Sequence, residues 1–461
     1  MTRRAGPLRA AFQGLGGEQR FARMGSTPTL ADAAEASASA RAMLRKLFDA
    51  AIDSVSAARV MPRTLPSPSH GKVALIAVGK AAAAMTEAAL DRLPVPPAAT
   101  LVVSRYGHMT PTIARRQGVE LIEAGHPYPD AHSIEAADRA LEIARGLEAQ
   151  DHLLVLLSGG GSALLSAPAR GITLSDKQAT TRSLLESGAT IAEINCVRKH
   201  LSRIKGGRLA LAAGPARVTT LIISDVPGDD PSFVSSGPTV ADHTTLEMAR
   251  EILRKYGIPA PTAVLAALDD PANETPPADS LGLAGVETTV IARARDALCA
   301  AAREAGDAGY VVMDLGDQLQ AEARHLGASH AALARRLSVD GKARAIISGG
   351  ETTVAVHNPR GKGGRNLEYL LGLAIALDGV PGISALACDT DGIDGTEDAA
   401  GAVVLEDTLK RARQLGLDPV EHLRTNNAYP FFEALGDLVI TGPTRTNVND
   451  FRVILINDAA R

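Results

Sequence analysis

A chain of 461 residues exceeds what one hydrophobic core usually holds and predicts two or three domains. Hydrophobic residues make up 45% with only 3% aromatics and no Trp, so the cores must be built from Ala, Leu, Val and Ile, as helices packed on a parallel sheet require. The formal net charge of -4 argues against nucleic acid or an anionic membrane as main partner, and no apolar run nears the roughly 20 residues of a membrane span.

Cys196, Cys299 and Cys388 are far apart and odd in number, which indicates neither a disulfide framework nor a zinc cluster, so a cytoplasmic protein is expected. Over residues 1–30, Arg3, Arg4, Arg9, Arg20 and Arg23 face a single acid, Glu18, which reads as a disordered or targeting-like tail, with Met24 an alternative start. Beyond it Met43, Leu44, Leu47, Ala51 and Val55 share one helical face.

A buried strand over 73–78 then ends in Gly79 and Lys80 before an alanine-rich helix, which sets an ammonium at a strand-to-helix junction. Strands over 100–103 and 119–123 and a helix over 133–147 continue the alternation of a doubly wound sheet, whose ligands collect beyond the strands' carboxyl ends. The unbroken apolar run 153–157 empties into Ser158, Gly159, Gly160, Gly161 and Ser162, a loop whose backbone can approach a phosphate and which leads into a predicted helix.

Residues 191–208 read as a helix dense in cations, with Arg198, Lys199, His200, Arg203, Lys205 and Arg208, as a polyanionic substrate would demand. The strand 218–224 delivers Asp225, Asp229 and Asp230, carboxylates suited to Mg²⁺. The Pro- and Asp-rich segment 269–285 predicts a domain boundary, dividing an N-terminal Rossmann-like domain over 31–275 from a C-terminal α/β domain over 276–461.

The second half repeats the style, with strands over 286–291 and 310–315 and a long helix ending near 337. A strand over 343–347 leads to Ser348, Gly349, Gly350 and Glu351, followed by a β-like run over 352–357. Arg360, Lys362 and Arg365 precede an amphipathic helix over 366–377, so Arg365 stands where its guanidinium and the helix N–H groups can both reach a phosphate. The strand 383–387 ends in Asp389, Asp391 and Asp394. That run lacks the twelfth-position acid of a calcium loop and follows a strand, so it points to Mg²⁺ or substrate hydroxyls instead. Asn447, Asn449 and Asp450 form a polar loop before a final strand through 456, which is free to return to the first domain.

Glycine loops, cations at helix starts and carboxylates at strand ends are the parts of phosphoryl transfer, so the residues alone read as a kinase using ATP and Mg²⁺. Neither GxxxxGK[ST] nor the protein-kinase signature set occurs. The rivals are an NAD(P)-dependent hydroxypyruvate reductase, although Leu164 takes the third-glycine place of the dinucleotide fingerprint, and a non-catalytic protein binding a phosphorylated sugar acid.

The segments LLSGGGSALL, NCVRKHLSRIKGGRLA, SDVPGDDPSFVSSGPT, GGRNLE, DTDGIDGTEDAAGA and TNVNDFRV resemble, in order, the class II glycerate kinases, the glycerate 2-kinase family with a C-terminal MOFRL domain. The resemblance implies two α/β domains, the first a doubly wound, mostly parallel sheet, with a cleft between them. It also implies ATP- and Mg²⁺-dependent phosphorylation of D-glycerate at its 2-hydroxyl, and it matches Lys80 and Arg365 to the pair acting in that cleft. The expected contacts to substrate and nucleotide are residues 158–162, Lys199, Lys205, Glu351, Asn366, Asp391, Asn447 and Asp450. Asp225, Asp229 and Asp389 are the expected metal residues, and Asp229 or Asp391 would receive the hydroxyl proton. A homodimer is allowed. Arg445 stands where the family often has Gly, at a cost of about 1 kcal/mol if φ is positive there. Leu367 replaces a commonly polar residue.

Overall fold

The protein is described by a computed structural model over residues 30–277 and 279–457, and the expected N-terminal tail lies outside them. The strands of the first half are β1 (Val73–Val78), β2 (Ala99–Arg105), β3 (Glu120–Ala124), β4 (His152–Leu157), β5 (Arg217–Ile223) and β6 (Val286–Ala292). They form one six-stranded sheet in the order β3-β2-β1-β4-β5-β6, parallel at every pairing. All six residues of β1 and of β4 are buried, as their unbroken apolar runs require of strands covered on both faces. Strands β2 and β3 are added on one side of β1 and β4 to β6 on the other, and this switch in strand order between β1 and β4 is where such a sheet opens a crevice for ligand.

The second sheet holds β7 (Val311–Asp314), β8 (Arg344–Gly350), β9 (Ile383–Asp389), β10 (Gly401–Val404), β11 (Leu438–Val439) and β12 (Asp450–Ile456) in the order β11-β10-β9-β12-β8-β7. β7 runs parallel to β8, while β12 pairs antiparallel to both β8 and β9. Its core is built on the helix Arg365–Leu377, with Leu367, Leu370, Leu371 and Leu373 fully buried, so Leu367 fills a packing position.

The topology corrects several expectations. β6 is the sixth strand of the first sheet, so the boundary at 275/276 cuts that sheet; the Pro-rich segment before it is the crossover from β5, and crossovers between parallel strands run on the surface. The first helix, Leu30–Ser54, packs against the second sheet, where Phe48 meets Phe451 at 5.8 Å between ring centroids and Arg41 Nη2 donates to Asp437 at 2.6 Å. β12 lies in the middle of the second sheet and does not return to the first. The run 352–357 forms no strand beyond one bridge of Thr353 to Glu322, because β8 ends at Gly350, whose φ of 104 turns the chain away. The basic stretch is a helix only over Ile191–His200, and left-handed Gly206 and Gly207 break it before Arg208–Ala212.

Candidate active site

β1 and β4 end side by side at the switch point. Gly79, with φ 123, lets the chain leave β1, and a Cβ there would lie 2.3 Å from Ser158 Oγ. Ser158 Oγ accepts from Ala81 N at 3.0 Å and Gly159 O accepts from Lys80 N at 2.9 Å, so the two loops are stitched together and Lys80 projects from their seam. The predicted helix after the glycines forms as a single turn, Gly161–Leu164.

In the second sheet the register sets Asp450 beside both Gly350 and Asp389. Side chains from three adjacent strand ends thereby converge on Arg365: Nε reaches Asp450 Oδ1 at 2.7 Å, Nη2 reaches Asp389 Oδ2 at 2.8 Å and Nη1 reaches Glu351 Oε1 at 3.2 Å. The N–H groups of the helix that starts at Arg365 are not open to a phosphate, which corrects that expectation. Asn366 N and Leu367 N donate to Asp394 at 3.0 and 2.9 Å, a cap that fixes the root of the arginine.

The two sheets meet through the loops after β9 and before β12. Lys80 Nζ contacts Asp391 Oδ2 at 2.5 Å, and Asp391 N donates to Asp389 Oδ1 at 3.0 Å. Across the same seam Asn447 Nδ2 donates to Asp225 Oδ2 at 2.9 Å and Asn449 Nδ2 donates to Asp225 O at 2.5 Å. Gly159 is a glycine for lack of room, since a Cβ would lie 2.0 Å from Asp225 Oδ2 and 2.1 Å from Asn447 Nδ2. Lys80 and Arg365 therefore stand on one crevice, linked through Asp389 and Asp391.

Burial pushes the Asp225 carboxyl up to about 6 against the pull of Lys80. Burial and the adjacent Asp391 carboxylate push Asp389 well above its ordinary value. Asp391 goes the other way: burial would raise it, but the charge and hydrogen bond of Lys80 hold it down. Burial works against the Lys80 ammonium, yet Asp391 and Asp389 outweigh it and raise its pKa. Both cations of the crevice are held charged.

The structure brings together Lys80, Arg365, Asp225, Asp389, Asp391, Glu351, Asn447, Asp450 and residues 158–162, with Asn366 beneath them, Asn366 Nδ2 donating to Asp450 Oδ1 at 2.8 Å. It does not bring in Asp229, whose carboxylate faces Arg293 at 3.8 Å, nor Lys199, which pairs with buried Asp242 at 3.2 Å. Lys205 is buried in the turn after the basic helix, 3.4 Å from Ser235 O. Among the described residues, no three His, Cys, Asp or Glu side chains gather as a metal cage. Asp394, which the sequence groups with the acidic run facing Mg²⁺ or substrate hydroxyls, instead caps the helix 28 residues away, a role its place in that loop does not signal. Sequence reasoning missed His126, the ring nearest Gly160, whose imidazole burial and Lys80 push down to about 4. A cavity of about 540 Å³ between the first helix and Lys342 opens at the other end of β8 and β12 from Arg365 and has no part in this crevice. One of about 430 Å³, walled by Val354, Val356, Asn358 and Asn426, adjoins Arg365.

A Rossmann-ordered parallel sheet joined to a mixed sheet, with glycine loops, cations and paired carboxylates on a shared crevice, defines an α/β protein of two sheets. A family model described as a domain of unknown function (DUF4147) matches residues 43–269, and the MOFRL family model matches residues 344–450. A protein of Agrobacterium vitis, provisionally named a hydroxypyruvate reductase, is 49% identical over 91% of this chain and 95% of its own. The D-glycerate 2-kinase of Thermotoga maritima is 40% identical over 88% of this chain and 95% of its own. The crystal structure of a glycerate kinase from Thermotoga maritima superposes with a TM-score of 0.81 and 39% identity, covering 91% of this chain and 100% of that one. The chain belongs to the glycerate 2-kinase family that joins a DUF4147 domain to a MOFRL domain.

Proposed function

We propose that the protein transfers the γ-phosphoryl group of ATP to the 2-hydroxyl of D-glycerate, giving 2-phospho-D-glycerate and ADP. The observation that carries this reading is the convergence of Lys80 and Arg365, from opposite sheets, on the Asp389–Asp391 pair. Phosphoryl transfer passes through a loose transition state in which charge on the equatorial oxygens must be neutralised. Lys80 and Arg365 are fixed by buried carboxylates before substrate arrives, so they need no reorganisation to meet that charge. The 2-hydroxyl oxygen forms the new bond to phosphorus as the bond to the β-phosphate oxygen breaks, and its proton goes to water. Asp391, held ionised by Lys80, is a weak base but is suited to orient the hydroxyl.

The residues fit a magnesium ion. Three cations, Lys80, Arg365 and Arg452, which pairs with Asp450 from below at 2.5 Å, face the carboxylates of Asp225, Asp389, Asp391, Asp450 and Glu351, and the remaining excess of negative charge is what a divalent ion offsets. Asp225 and Asp389, buried carboxylates on the two sides of the seam, are the residues that would hold it. Bound there, the ion would neutralise phosphate oxygens of the nucleotide.

Incubation with ATP, Mg²⁺ and D-glycerate, read by phosphorus NMR, should show a phosphate ester at carbon 2; an ester at carbon 3, or none, rejects the proposal. NADH consumption with hydroxypyruvate is the parallel assay, since a relative carries that activity in its name. Among the described residues no helix is long and apolar enough to cross a membrane. We place the protein in the cytoplasm, where Cys196, Cys299 and Cys388 remain free thiols, and recovery in a membrane or exported fraction would contradict this.

A further inference from the structure

Next to the glycine loop, a cavity of about 260 Å³ is lined by Ser162, Ser166, Lys177, Arg198, Gln178 and Tyr128, among others. Among the described residues no acidic side chain lines it. Lys177 is 4% exposed and its Nζ has no hydrogen-bond partner among the described residues; nor has Ser166 Oγ, 1% exposed. Among the described residues Arg198, on the same wall, makes no ion pair, and the buried ammonium of Lys205 has one long contact, to Ser235 O at 3.4 Å. Burial and the charges of Arg198, Arg208 and Arg203 push the Lys177 pKa down to about 7, with no carboxylate opposing them. The neighbouring cations do have partners: Arg203 pairs with Asp138 at 2.8 Å, and Lys199 with Asp242.

An uncompensated buried charge costs several kcal/mol, and these residues find no offset within the described chain. The cavity also begins at Ser162, the last residue of the loop whose first glycine accepts from Lys80 N. From this we infer that Lys177 and Arg198, with Ser162 and Ser166, form an oxyanion subsite of the crevice, taking a carboxylate or phosphate group of a bound substrate. The inference rests on the kinase reading only for which substrate supplies that group: the carboxylate of the hydroxy acid or the phosphates of the nucleotide.

The test is isothermal titration of the full chain with D-glycerate, ADP and inorganic pyrophosphate, comparing wild type with Lys177→Met and Arg198→Gln. A loss of tenfold or more for D-glycerate alone assigns the subsite to the acceptor. The same loss for ADP and pyrophosphate assigns it to the nucleotide phosphates, and either result supports the inference. Losses below threefold for all three ligands in both variants overturn it, as does a wild type that binds none of them. The unliganded Lys177→Met protein should melt at or above the wild-type temperature, because a structural lysine would show the reverse. If Lys177→Met does not fold, Arg198→Gln, at the less enclosed wall, decides alone. Phosphoryl transfer by the wild type is assayed separately: binding that depends on these residues without transfer would sink the kinase reading and leave the subsite standing.

Discussion

Lys80 and Asp391 are 311 residues apart in the chain and 2.5 Å apart in space, one from the first sheet and one from the second. This contact locks the crevice and also charges it. Replacing Lys80 by Met strands Asp391 without its counter-ion, which should lower stability by about 3 kcal/mol in addition to cutting turnover by at least about 100-fold. The double variant Lys80→Met/Asp391→Asn removes both charges, so denaturant unfolding should show most of the stability recovered while turnover stays low. Recovery of turnover in the double variant would show that the lysine acts only as a structural partner.

Arg365→Lys is expected to cut turnover by at least about 100-fold although the charge is kept. An ammonium cannot reach Asp450, Asp389 and Glu351 at once as the guanidinium fork does. Near-normal kcat in Arg365→Lys would mean that the fork geometry is not used.

Gly159→Ala places a methyl group against the carboxylate of Asp225 and the amide of Asn447, groups that meet across the seam. Overpacking there should cost about 1–3 kcal/mol and lower turnover more than tenfold by displacing Asp225. Thermal melting and initial rates measured together decide it, since a wild-type rate would show the seam to be slack.

Arg445 has φ 63, the left-handed conformation suspected from the sequence, and is exposed. Arg445→Gly should therefore stabilise the fold by up to about 1 kcal/mol, the relieved strain exceeding the entropy that glycine adds to the unfolded chain. Urea unfolding that shows a loss would point to a contact made by the arginine.

The Lys177 ammonium, faced by Arg198, Arg203, Arg208 and Lys205, has a folded pKa of about 7 against an ordinary value of 10.5. Between those values the unfolded chain binds the proton and the folded chain does not, so this group makes stability rise with pH from about 7 to about 10. Melting temperatures of wild type and Lys177→Met across that range should converge as pH rises. A constant gap would show that Lys177 is not depressed.

Much of the fold was legible without coordinates because parallel strands buried on both faces must be continuous apolar runs. β1 was read with its bounds and β4 within one residue. β10 and β11 were missed, being four and two residues long and too short to show a period. The composition break before β6 was taken for a domain boundary because proline-rich chain looks the same in a surface crossover as in a linker.

The sequence by itself determined the chemical inventory: glycine loops, cations at helix starts and carboxylates at strand ends, together with the two matched family segments. Only the tertiary structure decided which of these meet. Side-chain neighbours come from strand order and register, which local pattern does not encode: β12 entering between β8 and β9 is what sets Asp450 under Arg365, and the meeting of two sheets is what sets Asp391 on Lys80. The same long-range packing turned Asp229 and Lys199 aside to private partners and left Lys177 Nζ without one among the described residues.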